Sequence, residues 1–155
     1  ENVLFEKTKL ILKKANEYRM KVSVFGRWYD LRGQLVEELK RLNSETDGFD
    51  NFFLNICINY DPKQEIADAS RVIIRKILME KLDIDSITPE IIKENIYSSF
   101  FVPPDIVIEP SRRFSGTFLW DSKNSKIYQL NKKVLDINKA DVIRVIETYA
   151  TISTK

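Results

Sequence analysis

The sequence predicts an α/β fold in which a mostly parallel sheet is flanked by helices. Segments with helical periodicity alternate with short apolar runs, capping residues separate them, and the run 52–60 is nearly continuous in apolar residues. This alternation is typical of open parallel sheets, which bind ligands beyond the carboxyl ends of their strands. With 155 residues and 43% apolar content, we expect a single domain over residues 1–155.

The predicted elements follow from periodicity and capping. Asp30 is expected to cap the second helix, and Asp61 the third, with Gln64 closing a capping box. The run 52–60 is expected to be a central strand that is buried on both faces. We predict helices over 1–18, 31–42 and 138–149, a helix that begins at Pro62 and a short helix that begins at Thr88-Pro89. The residues expected to face inward are Ile66, Ala69, Ile73 and Ile77 in the helix from Pro62, and Val142, Val145, Ile146 and Tyr149 in the last helix. Strands are predicted over 21–25, 52–60, 105–108 and 125–130, and a loop over 43–50.

The composition excludes several classes of function. A net charge of +2 argues against a general nucleic-acid binder, and the lack of histidine removes the commonest general base and zinc ligand. The single cysteine, Cys57, excludes a disulfide framework and indicates a reducing compartment, so we expect a cytoplasmic protein. No apolar run reaches the ~18 residues that span a bilayer.

Polar residues stand at the ends of three of the predicted strands, at Arg27, at Asn59 and in the segment 109–115. The carboxyl ends of parallel strands share one edge of a sheet, so these residues are expected to meet there. Arg113 and Ser115 can hold a diphosphate through a guanidinium fork and a hydroxyl, with Asn59 and Arg112 as further pocket residues. The alternative is that Arg112 and Arg113 form a solvated pair in a surface loop.

Three stretches resemble the cis-prenyltransferase family, the undecaprenyl and dehydrodolichyl diphosphate synthases. Leu54 to Ala69 is similar to the family's strand with asparagine-tyrosine and the helix after it, Pro104 to Ile108 to its Pro-Asp-Leu-Leu-Ile strand, and Ser111 to Trp120 to the segment that ends in Asn-Phe-Leu-Leu-Trp. The resemblance extends from about Lys21 to Tyr149. It implies the undecaprenyl diphosphate synthase fold without its first strands, about the C-terminal two-thirds of that fold.

The resemblance implies a chemistry and roles for two residues. The family transfers isopentenyl units to an allylic diphosphate, with Mg²⁺ assisting the departure of diphosphate. Arg113 and Ser115 match an arginine and a serine that hold isopentenyl diphosphate. The family pattern also implies a dimer.

The sequence departs from the family pattern at charged positions. Glu109 stands where the family has an arginine, and Lys126 where it has a magnesium-binding glutamate. Two residues are missing between Ser111 and Arg113, Asp61-Pro62-Lys63 replaces Gly-Gly-Arg, and the basic, glycine-containing C-terminal ending is lacking. Gly26-Arg27-Trp28 repeats the last letters of the family's catalytic motif, but no catalytic aspartate precedes it.

These departures favour a catalytically impaired homologue, a pseudoenzyme that acts as an accessory subunit in polyprenyl diphosphate synthesis. Such a subunit would form a homodimer, or a heterodimer with a catalytic subunit, with Mg²⁺ required in the complex. One alternative is an active polyprenyl diphosphate synthase whose N-terminal catalytic segment is not in this sequence. Another is an unrelated α/β anion-binding module. Association with a membrane surface is also open, whereas a nucleic-acid partner is not expected.

Overall fold

The structure is a computed structural model that describes residues 2–113 and 115–153, with side chains over 4–113 and 115–152. The helices are α1 (Asn2–Tyr18), α2 (Gln34–Thr46), α3 (Pro62–Leu78), α4 (Pro89–Lys93) and α5 (Lys139–Ser153), and the strands are β1 (Met20–Phe25), β2 (Phe52–Cys57), β3 (Ile106–Glu109) and β4 (Lys126–Gln129). Both strand pairs are parallel, so the predicted α/β class is confirmed. The chain divides into two compact units at Val72 and Ile73. The single domain stays a prediction.

The first unit is built around the β1–β2 pair, in register from Met20 opposite Phe52 to Phe25 opposite Cys57. Its core comes from one face of α2, from β1 and from α1. The buried residues are Ala15, Val22, Val24, Leu35, Leu39 and Leu42. Each fully buried leucine or valine contributes about 1.5–3 kcal/mol, so this cluster stabilises the unit.

Side chains of α2 bind the free edge of β1. The N–H of Val22 donates to Thr46 Oγ1 at 3.0 Å, and the N–H of Val24 donates to Asn43 Oδ1 at 3.0 Å. Thr46 is fully buried, and its hydroxyl donates in turn to the carbonyl of Leu42 at 2.8 Å. These contacts supply the acceptors that a further strand would otherwise provide.

Replacing Thr46 with valine is expected to lower the free energy of unfolding by about 1–3 kcal/mol, because the buried N–H of Val22 loses its acceptor while the size of the side chain is kept. Urea unfolding followed by circular dichroism measures this. Thr46→Ser keeps the hydroxyl and is expected to lose less. Thr148→Val, at an exposed hydroxyl that bonds only the preceding turn, is the matched control. Equal losses in the two valine variants would contradict the role assigned to Thr46.

The second unit contains the β3–β4 pair, with Ile106 opposite Lys126 and Glu109 opposite Gln129. A buried polar network connects α4 with the turn after Trp120. The carboxylate of Asp121 accepts from Lys93 Nζ at 2.6 Å and from Ser98 Oγ at 2.6 Å. Lys93 also donates to the carbonyl of Ser98 at 2.6 Å, so each member of the network has a partner.

The second helix was predicted with the wrong bounds. Asp30 does not cap it; it lies in a 3-10 turn, where its carboxylate pairs with Arg27 at 2.7 Å. Gly33, with φ of 74°, occupies the cap position of α2, which therefore begins at Gln34. The helix continues to Thr46 instead of ending at Leu42, because Asn43 and Thr46 are held against β1. The predicted loop 43–50 is thus helical in its first half.

The prediction that 52–60 is a strand buried on both faces was wrong. The strand ends at Cys57, and Phe52 and Phe53 are 59% and 68% exposed. Among the described residues, β2 pairs only with β1. Its apolar contacts with the core of the unit come from the later positions Leu54 and Ile56.

The remaining helices match the prediction in part. Asp61 Oδ1 accepts from the N–H of Gln64 at 2.8 Å and so caps α3, but the side chain of Gln64 donates to Asp68 at 2.9 Å and closes no capping box. Thr88 caps α4 as predicted. In α5, Val145 is buried as expected.

The inward face of α5 was predicted incorrectly at two positions. Val142 and Ile146 are 36% and 51% exposed, while Asp141 is buried beside Val145. Ion pairs with Lys132 and Arg144 stabilise Asp141 in its buried position. The periodicity of apolar residues contains no information about such ion pairs.

Candidate functional site

The loop after β3 is organised by a buried carboxylate. Glu109, the last residue of β3, is only 3% exposed. Its Oε1 accepts from the N–H of Ser115 at 3.0 Å and from the hydroxyl of Ser115 at 2.8 Å. Glu109 therefore fixes the position of Ser115, six residues further along the chain.

The hydroxyl of Ser115 is fully engaged by these contacts. Its hydrogen goes to Glu109, and its oxygen lies 2.7 Å from Thr117 Oγ1 and accepts from the N–H of Thr117 at 3.2 Å. A serine hydroxyl offers one hydrogen and two lone pairs. No hydrogen is left for a ligand while Glu109 keeps its bond.

Residues of this loop line two neighbouring cavities, which share Pro110. The first has a volume of about 450 Å³, and apart from Glu109, Ser115 and Thr117 its walls are mainly apolar; they are formed by residues 104, 106–110, 115, 117 and 118. The second, about 480 Å³, is strongly basic and is formed by residues 110–113 and 131–133. We call the second one the basic cavity.

The structure places Arg113 and Ser115 in different cavities. Arg112 and Arg113 line the basic cavity, whereas Ser115 lines the apolar one. The hydroxyl of Ser111 accepts from the N–H of Arg113 at 3.2 Å and donates to its carbonyl at 2.8 Å, which shapes the turn. The roles of Arg113 and Ser115 in diphosphate binding stay predictions.

Asn59 meets Arg27, as expected for the ends of adjacent parallel strands. The N–H of Arg27 donates to the carbonyl of Asn59, and the amide of Asn59 donates to the carbonyl of Arg27, both at 3.4 Å. Between them, a Cβ on Gly26 would lie 2.5 Å from the carbonyl oxygen of Ile58, so only glycine fits there. Asn59 thus holds loop backbone in the first unit, while Arg112 belongs to the second.

The described residues do not fit a magnesium site. Lys126 is exposed on β4, at the position where the resemblance puts a metal-binding glutamate. Mg²⁺ is bound by oxygen ligands, commonly carboxylates, and an ammonium group repels it. In residues 2–113 and 115–153, no three histidine, cysteine, aspartate or glutamate side chains are grouped so that they could hold a metal ion.

Cys57 is unsuited to nucleophilic chemistry. The side chain is half-buried at the end of β2, and burial, together with the nearby charge of Glu65, raises the pKa of its thiol to about 12. The thiolate is the reactive form of cysteine. At neutral pH almost none is present, which agrees with a packing role.

The sequence-based reasoning missed residues 131–133, which complete the basic cavity. The Lys132 N–H donates to the carbonyl of Pro110 at 2.7 Å, and that of Leu130 to the carbonyl of Glu109 at 2.9 Å. These bonds join the loop after β4 to the loop after β3. The adjacent lysines, just beyond a predicted strand, were the available signal.

Lys132 is neutralised by a buried aspartate. Its Nζ donates to both carboxylate oxygens of Asp141, at 2.7 and 2.8 Å, and Arg144 also donates to Asp141, at 2.6 Å. The N–H of Asn138 donates to Asp141, while Asn138 Oδ1 accepts from the first N–H groups of α5. This reciprocal arrangement is a capping box. The bonds from Lys132 and Asn138 lower the pKa of Asp141.

The lowered pKa of Asp141 predicts acid-dependent stability. Its contribution is fully present above the unfolded-state pKa of about 3.9 and is lost as pH falls through the lower folded-state pKa. Asp141→Asn should therefore be less stable than the wild type at neutral pH, and the difference should shrink below pH ~4. Urea unfolding across pH measures this, with the exposed Asp136→Asn as control. A difference that does not change with pH would contradict the prediction.

Comparison with known proteins identifies the class that this fold and site define. The family model described as "putative undecaprenyl diphosphate synthase" matches residues 2–155. The chain belongs to the cis-prenyltransferase family. This match rules out the alternative of an unrelated α/β anion-binding module.

Curated relatives match most of this chain. It is 33% identical over 132 residues to a tritrans,polycis-undecaprenyl-diphosphate synthase (geranylgeranyl-diphosphate specific) of Picrophilus torridus, covering 84% of this chain and 52% of the relative. It is 29% identical over 143 residues to an isoprenyl transferase of Thermus thermophilus, covering 86% and 53%. The chain thus spans about half the length of these relatives.

Solved structures share the fold. Lavandulyl diphosphate synthase from Lavandula x intermedia, crystallised in complex with dimethylallyl diphosphate, superposes with a TM-score of 0.87 at 18% identity, covering 96% of this chain and 65% of that one. A probable undecaprenyl diphosphate synthase from Campylobacter jejuni gives 0.77 at 19% identity, covering 96% and 68%. Within the described residues, no helix has the length and apolar character needed to cross a membrane.

Proposed function

We propose that this chain is a catalytically impaired, accessory subunit for polyprenyl diphosphate synthesis. The observation that supports this most directly is the bond from the hydroxyl of Ser115 to Glu109. A hydroxyl that holds a diphosphate must donate to it, and this hydrogen is already bound to a carboxylate. The negative charge of Glu109 also opposes a diphosphate next to Ser115.

The metal chemistry of the family is also unsupported by these residues. Mg²⁺ would neutralise a departing diphosphate if it were bound. Lys126 stands where the resemblance places the carboxylate that binds Mg²⁺. In the described part of the chain, no three histidine, cysteine, aspartate or glutamate side chains lie together so that they could hold a metal ion instead. We therefore propose that Mg²⁺ and the transfer step belong to a catalytic cis-prenyltransferase subunit with which this chain forms a dimer.

A second candidate is an active polyprenyl diphosphate synthase. It is favoured by the similarity to a named synthase of Picrophilus torridus and by Arg113 in the basic cavity. In that case the groups that perform transfer would lie outside these 155 residues. The same polypeptide would then bind both isopentenyl diphosphate and an allylic diphosphate.

The two candidates are separated by isopentenyl transfer. The complete polypeptide that contains these residues is incubated with labelled isopentenyl diphosphate, geranylgeranyl diphosphate and Mg²⁺, first alone and then with a catalytic cis-prenyltransferase subunit from the same source. We expect no polyprenyl product alone and a rise in the partner's turnover on mixing. Robust transfer by the polypeptide alone would overturn the accessory role.

A matched pair of variants connects the outcome to the site. Glu109→Arg replaces the opposing charge by the residue type of the family, and Glu94→Arg makes the same charge change at an exposed position of the second unit. We expect only Glu109→Arg to strengthen binding of isopentenyl diphosphate, measured by calorimetry. Equal effects of both variants would remove Glu109 from the proposal.

A further inference from the structure

Ser115 follows two arginines at a spacing that no other serine or threonine of the sequence shares. Arg112 and Arg113 stand three and two residues before it, in the run Arg-Arg-Phe-Ser. Every other serine or threonine has at most one basic residue at those two positions, as Ser44 has in Arg41. Kinases select their substrates by such charge patterns, and a pair of arginines before a serine is the pattern of an arginine-directed serine kinase.

The segment around Ser115 is accessible to a modifying enzyme. Residues 110–113 and 115–120 belong to no helix or strand, and Arg112, Arg113 and Ser115 are exposed. Within the described residues neither arginine has an ion-pair partner. A kinase that draws the serine into its active site therefore breaks hydrogen bonds to Glu109 but unwinds no secondary structure.

The bond from the hydroxyl of Ser115 to Glu109 is incompatible with a phosphate on that hydroxyl. Glu109 Oε1 accepts the hydroxyl hydrogen at 2.8 Å, and an esterified oxygen has no hydrogen to donate. Phosphoserine also carries about −1.5 to −2 charges at neutral pH. Because Glu109 is only 3% exposed, water screens its charge poorly, so the carboxylate repels the phosphate.

The two arginines offer the phosphate a better position. They precede Ser115 by three residues or fewer, which limits the separation along the chain to about 11 Å. Guanidinium groups bind phosphate oxygens through paired N–H donors. The loop after β3 thus has two arrangements, one with the serine hydroxyl on Glu109 and one with phosphoserine on Arg112 and Arg113, which line the basic cavity.

We propose that Ser115 is a phosphorylation site for an arginine-directed serine kinase, and that the phosphate moves Ser115 from Glu109 to Arg112 and Arg113. In the transfer, Ser115 Oγ attacks the γ-phosphorus of ATP. The new O–P bond forms as the bond to the departing ADP breaks, and the hydroxyl proton passes to the carboxylate base of the kinase. The inference does not depend on whether the chain transfers isopentenyl units.

Phosphorylation in vitro tests the first half of the proposal. The protein is incubated with ATP, Mg²⁺ and the catalytic subunit of cyclic-AMP-dependent protein kinase, an arginine-directed enzyme, and the phosphate is located by mass spectrometry of peptides. We expect one phosphate, at Ser115, and none in Ser115→Ala. Arg112→Gln should lower the initial rate by at least about tenfold, because one charged contact to the kinase is lost.

Two control variants accompany this measurement. Ser44→Ala removes an exposed serine that has one arginine three residues before it, and Arg75→Gln removes an exposed arginine that precedes no nearby hydroxyl. Neither should change the amount of phosphate or the rate. Absence of phosphate at Ser115 in the wild type, or an equal loss of rate in Arg75→Gln and Arg112→Gln, would overturn the site.

The second half is tested by the pKa of the phosphate itself, measured by ³¹P NMR. Phosphoserine is incorporated at position 115 during translation, so that arginine variants can be compared without the kinase. We expect a pKa below the roughly 6 of free phosphoserine, because guanidinium groups favour the dianion. Arg112→Gln/Arg113→Gln should raise this pKa, whereas Arg75→Gln/Lys81→Gln, which removes two exposed charges elsewhere, should not.

The opposite titration has a clear meaning. If the phosphate stays beside Glu109, the carboxylate disfavours the dianion, so the phosphate pKa lies above that of free phosphoserine and falls in Glu109→Gln. That result would overturn the movement of Ser115 to the arginines. A pKa equal to that of free phosphoserine and unchanged in Arg112→Gln/Arg113→Gln would overturn it as well.

Discussion

Replacing Asp121 with alanine is expected to lower the free energy of unfolding by about 3–5 kcal/mol, the largest loss predicted for this chain. The Asp121 side chain is 4% exposed and accepts from Lys93 and Ser98, both at 2.6 Å. In the alanine variant the ammonium of Lys93 loses its counter-charge. Only 22% of the Lys93 side chain is exposed, so water compensates this loss poorly. Thermal and urea unfolding measure the loss.

A double variant separates the contribution of the ion pair to stability from that of side-chain packing. Lys93→Met/Asp121→Ala removes both charges, so it should be more stable than Asp121→Ala alone, since no uncompensated buried charge remains. Ser98→Ala should cost only about 1 kcal/mol for one hydrogen bond. Asp105→Ala, at an exposed aspartate of the same unit, is the control. A loss at Asp121 no larger than at Asp105 would show that the network contributes little.

The elements that depend on local chemistry were predictable from the sequence. Asp61-Pro62 and Thr88-Pro89 place a capping side chain before a proline that fits the first helical turn, and both helices begin there. The strand 126–129 also lies within the predicted range 125–130, and the strand 106–109 is shifted by one residue from the predicted 105–108. Such signals need only a few neighbouring residues, so no tertiary information is required to read them.

Features that depend on contacts between distant segments were not predictable. Apolar residues at 52–60 suggested burial on both faces, but whether Phe52 and Phe53 are covered depends on which strands and helices pack there. The length of α2 depends on bonds from Thr46 and Asn43 to β1, some twenty residues earlier. A single sequence carries no signal for such pairings.

The location of the site in the sequence was predictable, but the hydrogen bonds and the cavity that its residues form were not. The sequence indicates the segment 109–115 as the site and shows that Glu109 replaces the family's arginine, but it does not show what Glu109 contacts. The structure shows that it is also the hydrogen-bond acceptor that holds Ser115. Hydrogen bonds across six residues of irregular loop follow no periodicity, so neither this bond nor the cavity formed with residues 131–133 could be read from spacing.

Two substitutions at Glu109 are expected to separate its charge from its hydrogen bonds. Glu109→Gln keeps an oxygen that can accept from both the N–H and the hydroxyl of Ser115, so unfolding should change by no more than about 1 kcal/mol. Glu109→Ala removes both bonds. It should cost about 2–3 kcal/mol, less than the roughly 3–6 kcal/mol of two bonds to a charged acceptor, because Ser115 is exposed and water can replace part of the loss.

The same two variants are expected to differ in their affinity for diphosphate. Glu109→Gln removes the opposing charge and should tighten pyrophosphate binding by at least about tenfold, since even two unit charges about 10 Å apart interact by roughly 1.7 kcal/mol at an effective dielectric constant of ~20. Glu109→Ala also releases the hydroxyl of Ser115 as a donor, so it should bind at least as tightly despite its lower stability. If calorimetry finds neither variant tighter than the wild type, Glu109 supports the loop without opposing anions, and the impairment of this chain must have another cause.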